Sequence, residues 1–445
     1  MDPSFVQEQF RAKYPEAGTP FACRVPGRIN LLGEHLDYNG LPVLPMAIDR
    51  ELHLAFAGSA RPTIRLRNTD ANYPECVFEN GPHLEPGETG AWENYCKAAV
   101  EGINQHFGAG ELPGMDVLVH SDLPSAAGLS SSSALVVGFA LAYLATRGYT
   151  LGQDISRREL ACVLANAEHY VGTAGGGMDQ AILLNAEAGH ATKINFIPFQ
   201  FESLPLSERH VFIVCDSLVA SRKTGGSLAK YNAGPSVCSL IVNMLNVHFN
   251  KHFGPEFSID CLGDLWLGPL CFNRNEVQQL LDDVLPNPGM SPGAIIRYLG
   301  MPPALVREYW LDSIPNPTGE IPLQARARHV LTEYYRVEEA RDALIAGDMN
   351  TFGRLMTASH RSCAVDYAIS TPELDRLVSI LTGAGCLGAR LTGAGFGGAV
   401  IGLATAARAA GVLEAVRREY YAGLLEDGAT APAFIVTPSK GAAYY

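Results

Sequence analysis

Residues 124–134 read PSAAGLSSSSA, a single glycine followed by four consecutive serines. The stretch before it, MDVLVHS from Met115 to about Ser121, has the make-up of a strand. The stretch after it, ALVVGFALAYLATRG, is apolar enough to predict a buried helix. A loop that opens a helix faces amide N–H groups without intrahelical partners, and the helix dipole adds positive charge there. That combination is a ready anion site. Gly128 lets the backbone approach an anion, and the hydroxyls supply further donors or a Mg²⁺ ligand. One serine would serve as a helix cap, and four exceed that need. The chain contains no G-x-x-x-x-G-K-[ST] loop and no D-F-G or H-R-D set, which excludes Walker-type and protein-kinase arrangements.

The 445 residues are 47% hydrophobic, enough for a large core and an expected two or three domains. Acidic side chains outnumber basic ones 46 to 33, a net charge of −13, which argues against a nucleic acid or an anionic membrane as the main partner. A small phosphorylated ligand is not excluded, since a few local donors can overrule net charge. The longest apolar stretch, Ala134–Ala145, is about half the ~20 residues of a membrane span. The N-terminus has mixed charge and no apolar signal region. Ten scattered cysteines without a C-x-x-C pair read as reduced thiols, so a soluble cytoplasmic protein is expected.

Strand-like runs (ELHLAFAG, PTIRLRN, HVFIVCDS) interleave with helical ones (SRRELACVLANAEHYVG, ARARHVLTEYYRVEEARDALIAGD, FGRLMTASHRSCAVDY) in both halves. The layout is mixed α/β (α+β), with a boundary expected near residue 205: an N-terminal domain 1–205 and a C-terminal domain 206–445. Prolines and glycines crowd residues 250–322, which predicts short helices joined by loops, inserted into the second domain. No internal repeat is evident.

Three more glycine clusters follow, two of them among charged residues. VPGRINLLGEHLDYNG (25–40) packs Arg28, Glu34, His35 and Asp37 among glycines; a polyol-binding loop and a solvated, ion-paired loop fit it equally. In AEHYVGTAGGGMDQA (167–181) three successive glycines permit close approach to a ligand. Asp179 would lie against whatever they contact, and Glu168 could be a metal carboxylate; a solvated or ion-paired carboxylate is the competing reading for both. LTGAGFGGA (391–399) repeats the glycine theme, a weak signal by itself.

Together these segments resemble the galactokinase branch of the GHMP small-molecule kinases. GRINLLGEHLDYNG is similar to the galactokinase signature, PSAAGLSSSSA to the phosphate loop and LTGAGFGGA to the third motif, a likeness running from about Phe21 to the C-terminal end. GLSSSSA and GGGMDQ match the eukaryotic-type branch, which contains galactokinases and N-acetylgalactosamine kinase. The resemblance implies a two-domain GHMP fold with its active site between the domains. It implies transfer of the γ-phosphate of ATP, with Mg²⁺, to the anomeric hydroxyl of D-galactose. The alternatives are an N-acetylgalactosamine 1-kinase and a non-catalytic galactose/ATP sensor. Its partners would be the sugar and ATP, with no nucleic acid and no membrane, and a monomer is plausible.

Carried over position by position, the resemblance assigns Asp179 as proton acceptor and Arg28 as stabiliser of the transferring phosphoryl group. Glu34, His35, Asp37, Gly176 and Tyr231 would bind the sugar. Ala126, Gly128, Leu129, Ser130, Ser131 and Ser132 would hold the triphosphate, with Trp92 and Tyr95 at the adenine, and Ser132 and Glu168 on Mg²⁺. One departure stands out: relatives continue from the tyrosine as YNxR, whereas this chain reads YNAGP, with Gly234 in place of arginine and Pro235 next, which puts the local helix in question. Two other motifs count for little. GMSPG (289–293) matches a nucleophile elbow, but flanking prolines oppose the strand it needs. His248 and His252 share a helix face without a third ligand in sight.

Overall fold

The computed structural model describes residues 3–108, 110, 112–124, 127–173, 175–220, 228–254, 256–314, 319–426 and 429–445. They form two compact units: residues 1–29, 45–192 and 436–445, and residues 30–44 and 193–435. The division is therefore not a single cut near residue 205. The last ten residues join the first unit because they pair with its sheet, and residues 30–44 join the second because its helices hold their backbone.

Elements are numbered along the chain. The first unit carries α1 (Pro3–Lys13), β1 (Phe21–Leu32), β2 (Leu44–Ser59), β3 (Thr63–Asn68), β4 (Cys76–Glu79), α2 (Glu93–Phe107), β5 (Gly114–Ser121), α3 (Ser131–Thr146), α4 (Arg157–Ala167), α5 (Met178–Asn185) and, from the tail, β12 (Ala443–Tyr444). The end of β1 and the start of β2 belong to the second unit. The sheet order is β12-β1-β2-β5-β3-β4. β2 and β5 run antiparallel with Leu54 opposite Val119, whereas β3 and β5 are parallel. Val6 and Phe10 of α1, with Tyr14 just after it, pack on Ala22, Ala55, Ala57 and Leu118. α3 is buried from Ser133 to Leu144, as a helix apolar all round must be. Gly27 lets β1 pass beneath the serine loop, because a Cβ there would stand 2.3 Å from Leu123 Cδ2 and 3.1 Å from the Leu129 carbonyl oxygen.

The second unit carries β6 (His190–Phe196), whose first residues belong to the first unit, then β7 (Phe199–Pro205), β8 (His210–Asp216) and α6 (Leu228–His252). Four short helices follow: α7 (Asp264–Leu267), α8 (Arg274–Val284), α9 (Pro292–Leu299) and α10 (Pro303–Tyr309). Then come α11 (Leu323–Ala346), α12 (Met349–Val365), α13 (Pro372–Gly383), β9 (Gly388–Thr392), β10 (Ala399–Thr405), α14 (Ala406–Val416) and β11 (Ala433–Val436). Its antiparallel sheet has the order β11-β8-β10-β9, with α12, α13 and α14 packed on it. α6 continues through Pro235, because Leu240, Ile241, Met244, Leu245 and Phe249 bury its far side. Their burial outweighs the lost backbone hydrogen bond.

Candidate active site

In the first unit, β1 delivers Arg28, and the first turn of α5, just after the glycine turn, delivers Asp179. Both are buried, and Arg28 Nε donates to Asp179 Oδ1 at 2.7 Å. Nη1 of Arg28 donates to the Gly128 carbonyl at 2.6 Å, and its backbone N–H to the Leu129 carbonyl at 3.2 Å. One arginine thus fixes both the carboxylate and the serine loop. Ser130 precedes α3 with φ of +61°, a left-handed conformation uncommon outside glycine. Its hydroxyl does not cap the helix; it donates to Asp179 Oδ2 at 2.5 Å. Ser130 is therefore not the side-chain cap of α3. Ser133 donates to Glu168 Oε1 at 2.6 Å and lies 3.3 Å from Asp179 Oδ2.

The remaining expected residues of this unit are placed as follows. Ser131 and Ser132 begin α3 half-buried, while Leu129 is buried. The serine that meets Glu168 is Ser133, next to the expected Ser132. Gly176 lies half-buried in the turn before α5, and Gly177 takes φ of +94°. Trp92 is buried, edge-on to Tyr73 and donating Nε1–H to the Pro74 carbonyl at 3.1 Å; Tyr95 is half-buried one turn on. Ala126 lies outside the described residues.

In the second unit the loop after β1 is gripped from several sides. Glu34 is buried, and its Oε2 accepts from Arg390 Nη2 at 2.9 Å and from the Gly393 N–H at 3.3 Å. Its backbone carbonyl accepts from His329 Nε2 at 3.0 Å, while the Gly33 N–H donates to Glu333 Oε1 at 2.8 Å. Glu333 also binds Arg336 at 2.6 Å and the Ser359 hydroxyl at 2.6 Å. Burial pushes its carboxyl upward, yet Arg336 and the other cations beside it outweigh that and bring it down to about 2. Burial holds His329 neutral, its pKa down at about 4. His35 adopts φ of +61°, bonds the Tyr38 hydroxyl through Nδ1 at 2.9 Å and stacks on Tyr367 with ring centroids 4.7 Å apart. The Tyr38 and Tyr367 hydroxyls share a hydrogen bond at 2.6 Å, and burial pushes both phenols well above their ordinary range. Asp37 opens a short 3₁₀ turn, half-buried, and the Tyr231 ring lies 6.5 Å from His35.

The structure thus brings Arg28, Asp179, Ser130 and Glu168 together with Ser133 in one unit, and Glu34, His35, Asp37 and Tyr231 in the other. Sequence reasoning missed Ser133, Tyr38, Tyr367, His329, Glu333 and Arg390. Of these, Ser133, inside the serine run, Tyr38, inside GRINLLGEHLDYNG, and Arg390, just before LTGAG, carried a signal. Ser291 of GMSPG caps α9 through Ala294 N–H, which leaves the elbow reading without its strand or its free hydroxyl. His248 and His252 stack on α6, and among the described residues no three His, Cys, Asp or Glu converge on a metal site.

Three family models match: the GHMP kinases N terminal domain over residues 94–186, the GHMP kinases C terminal model over 340–422, and the galactokinase galactose-binding signature over 8–57. The chain is 30% identical to a galactokinase of Dictyostelium discoideum, across 98% of this chain and 92% of that one. It is 33% identical to a galactokinase of Roseiflexus sp. (strain RS-1), across 91% and 88%. Among solved structures, Lactococcus lactis galactokinase complexed with galactose superimposes with a TM-score of 0.76 at 23% identity, covering 99% of both chains.

Proposed function

Since the chain belongs to the galactokinase family of GHMP kinases, its activity is the ATP-dependent phosphorylation of D-galactose at the anomeric hydroxyl, and we propose how its residues divide that work. Relatives that are galactokinases lend no support to the N-acetylgalactosamine or sensor alternatives. Asp179 accepts the proton of the anomeric hydroxyl as the oxygen attacks the γ-phosphorus. It does so after exchanging one of its two serine donors for the sugar. Arg28 stays beside it, holds it in place and offsets charge on the transferring group. The amides of Gly128–Ser132 and the start of α3 cradle the phosphates, with Trp92 and Tyr95 at the adenine. Glu34, His35, Asp37, Gly176 and Tyr231 hold the sugar.

Hydroxyl and carboxylate oxygens are the donors Mg²⁺ prefers, and one or two protein groups plus phosphate oxygens complete its usual shell. Ser132, Ser133 and Glu168 fit that role, with Ser133 already on Glu168 at 2.6 Å. When bound, the ion would neutralise charge on the β- and γ-phosphate oxygens. Ten unpaired cysteines suit a reducing, cytoplasmic setting. Among the described residues no helix is long and apolar enough to cross a membrane.

The observation that carries this reading is the buried Arg28–Asp179 pair with the Ser130 hydroxyl on the same carboxylate. Asp179→Asn tests it. In a coupled ATP–galactose assay kcat should fall about 10²–10⁴-fold while nucleotide binding and the fold persist. Retention of more than about a tenth of the activity would remove Asp179 from the proton-transfer role.

A further inference from the structure

The second unit carries a half-open cavity of about 320 Å³, in the size range of small-molecule sites. Its wall includes His35 and Tyr231, together with Tyr367, Phe396, Glu320 and Arg326. Its wall also carries a cation to which the reading of the sugar site above gives no role.

That cation is Arg326, in the first turn of α11. Its Nη1 donates to the Asp366 carbonyl, and its guanidinium sits 5.5 Å from the centre of the Tyr367 ring. The Asp366 carboxylate is taken by Arg328 at 2.5 Å. Among the described residues no carboxylate pairs with Arg326. The other enclosed arginines of this unit behave differently: Arg390 is paired with Glu34 and Arg336 with Glu333. Burial lowers the Arg326 pKa, and the nearby Asp366 carboxylate, already held by Arg328, does not offset that. A guanidinium presents donors in a planar fork whose natural complement is a carboxylate, held by two parallel bonds. A neutral hydroxyl would use one donor and leave the charge uncompensated.

Gly234 keeps the space open. A Cβ there would stand 3.1 Å from both the Tyr38 and the Tyr367 hydroxyls. A long side chain at this position, such as the arginine of YNxR, would have to break that hydroxyl pair or fill the cavity. Glu320 also lines the cavity but is exposed at its rim, where water screens its charge.

The geometry points to a second acceptor class: the cavity receives a carboxylate carried by the sugar, so the chain also phosphorylates hexuronic acids, above all galacturonate, the form of galactose with a carboxylate at C6. This rests on the proposal that His35 and Tyr231 contact the sugar. The reaction is otherwise unchanged. The anomeric oxygen forms a bond to the γ-phosphorus of ATP, the bond from that phosphorus to the bridging oxygen breaks, ADP leaves, and the hydroxyl proton passes to Asp179. The carboxylate is not altered, and the product is galacturonate 1-phosphate.

The test measures kcat/KM for galactose and galacturonate, by ADP release, in the intact chain and three variants. We expect turnover of galacturonate by the unaltered chain. Arg326→Met should lower the galacturonate-to-galactose ratio of kcat/KM at least tenfold, Arg326→Lys should restore it in part, and Glu320→Gln should raise it. Galactose turnover without galacturonate turnover overturns this proposal alone, as does a ratio unmoved by Arg326→Met. Should Arg326→Met fail to fold, an unmoved ratio in both Arg326→Lys and Glu320→Gln overturns it equally. Absence of turnover with either sugar would instead overturn the reading of the sugar site on which it stands.

Discussion

Four serines in a row cannot be told apart by composition; the phase of the helix they open decides which one does what. Because α3 starts at Ser131, Ser133 turns inward to Glu168 while Ser132 stays half-exposed. The sequence offers the serine loop as a candidate anion site, but which serine meets which carboxylate was not legible in it. Likewise Arg28 and Asp179 each stood out in the sequence, yet they lie 151 positions apart and nothing local announced their bond. If Ser133 and Glu168 both serve the metal, Ser133→Ala and Glu168→Gln should each raise the Mg²⁺ concentration needed for half-maximal rate more than they raise the KM for galactose. Overlaying Mg²⁺ titrations for variants and parent would rule that out. Arg390 gives a second prediction at this scale. It is fully buried with two anchors, the Glu34 carboxylate and the Asn30 carbonyl at 3.1 Å. Lysine has the charge but not the fork. Arg390→Lys should therefore raise the KM for galactose at least about tenfold and leave the KM for ATP within about twofold; an unchanged galactose KM would reduce Arg390 to a packing role.

Among the elements, α11 shows what periodicity reveals and what it hides. Its helical pattern is plain in the sequence, but its buried His329 and Glu333 hold loop residues 295 and 300 positions away. No window of sequence spans such partners. The helix should also make stability sensitive to acid. His329 titrates near 6.5 when unfolded and near 4 when folded. Between those values the unfolded chain binds more protons, so the contribution is complete above about pH 6.5 and is lost as pH falls toward 4. At pH 5 the loss amounts to roughly 2 kcal/mol. Glu333, held down at about 2, acts in the same direction at lower pH: its contribution is present above about 4.5 and fades below it. In urea melts at pH 7.5 and 5, His329→Gln should lose less stability on acidification than the parent. Some sensitivity will persist, because burial also brings His53 down to about 4. Equal losses in the two proteins would remove His329 as a source. α6 teaches the opposite lesson. Gly234 and Pro235 put a helix in question, and the apolar face beyond them settled it.

For the molecule as a whole, reduced thiols and a mixed α/β layout could be read directly, since both depend on composition and local pattern. The discontinuous units could not, because the pairing of Cys23 with Tyr444 is invisible to any local rule. Thiol accessibility offers a check on the global packing. Cys162 and Cys271 are exposed, Cys76 and Cys261 half-buried, and the other six buried. Native protein should show two fast-reacting thiols with an aromatic disulfide reagent and ten after denaturation; several fast thiols beyond those two would mean a looser molecule than this one. The six-stranded sheet has a further implication. Its β1 edge is covered by β12, a segment that the chain supplies long after β1. Unpaired edges are templates for association with other chains. At roughly 5–20 residues per second, the stretch from Cys23 to Tyr444 takes tens of seconds to synthesise. A cell making this protein therefore carries a nascent sheet with one open side through that interval, and the pace of the ribosome, not equilibrium stability, sets how long it stays open.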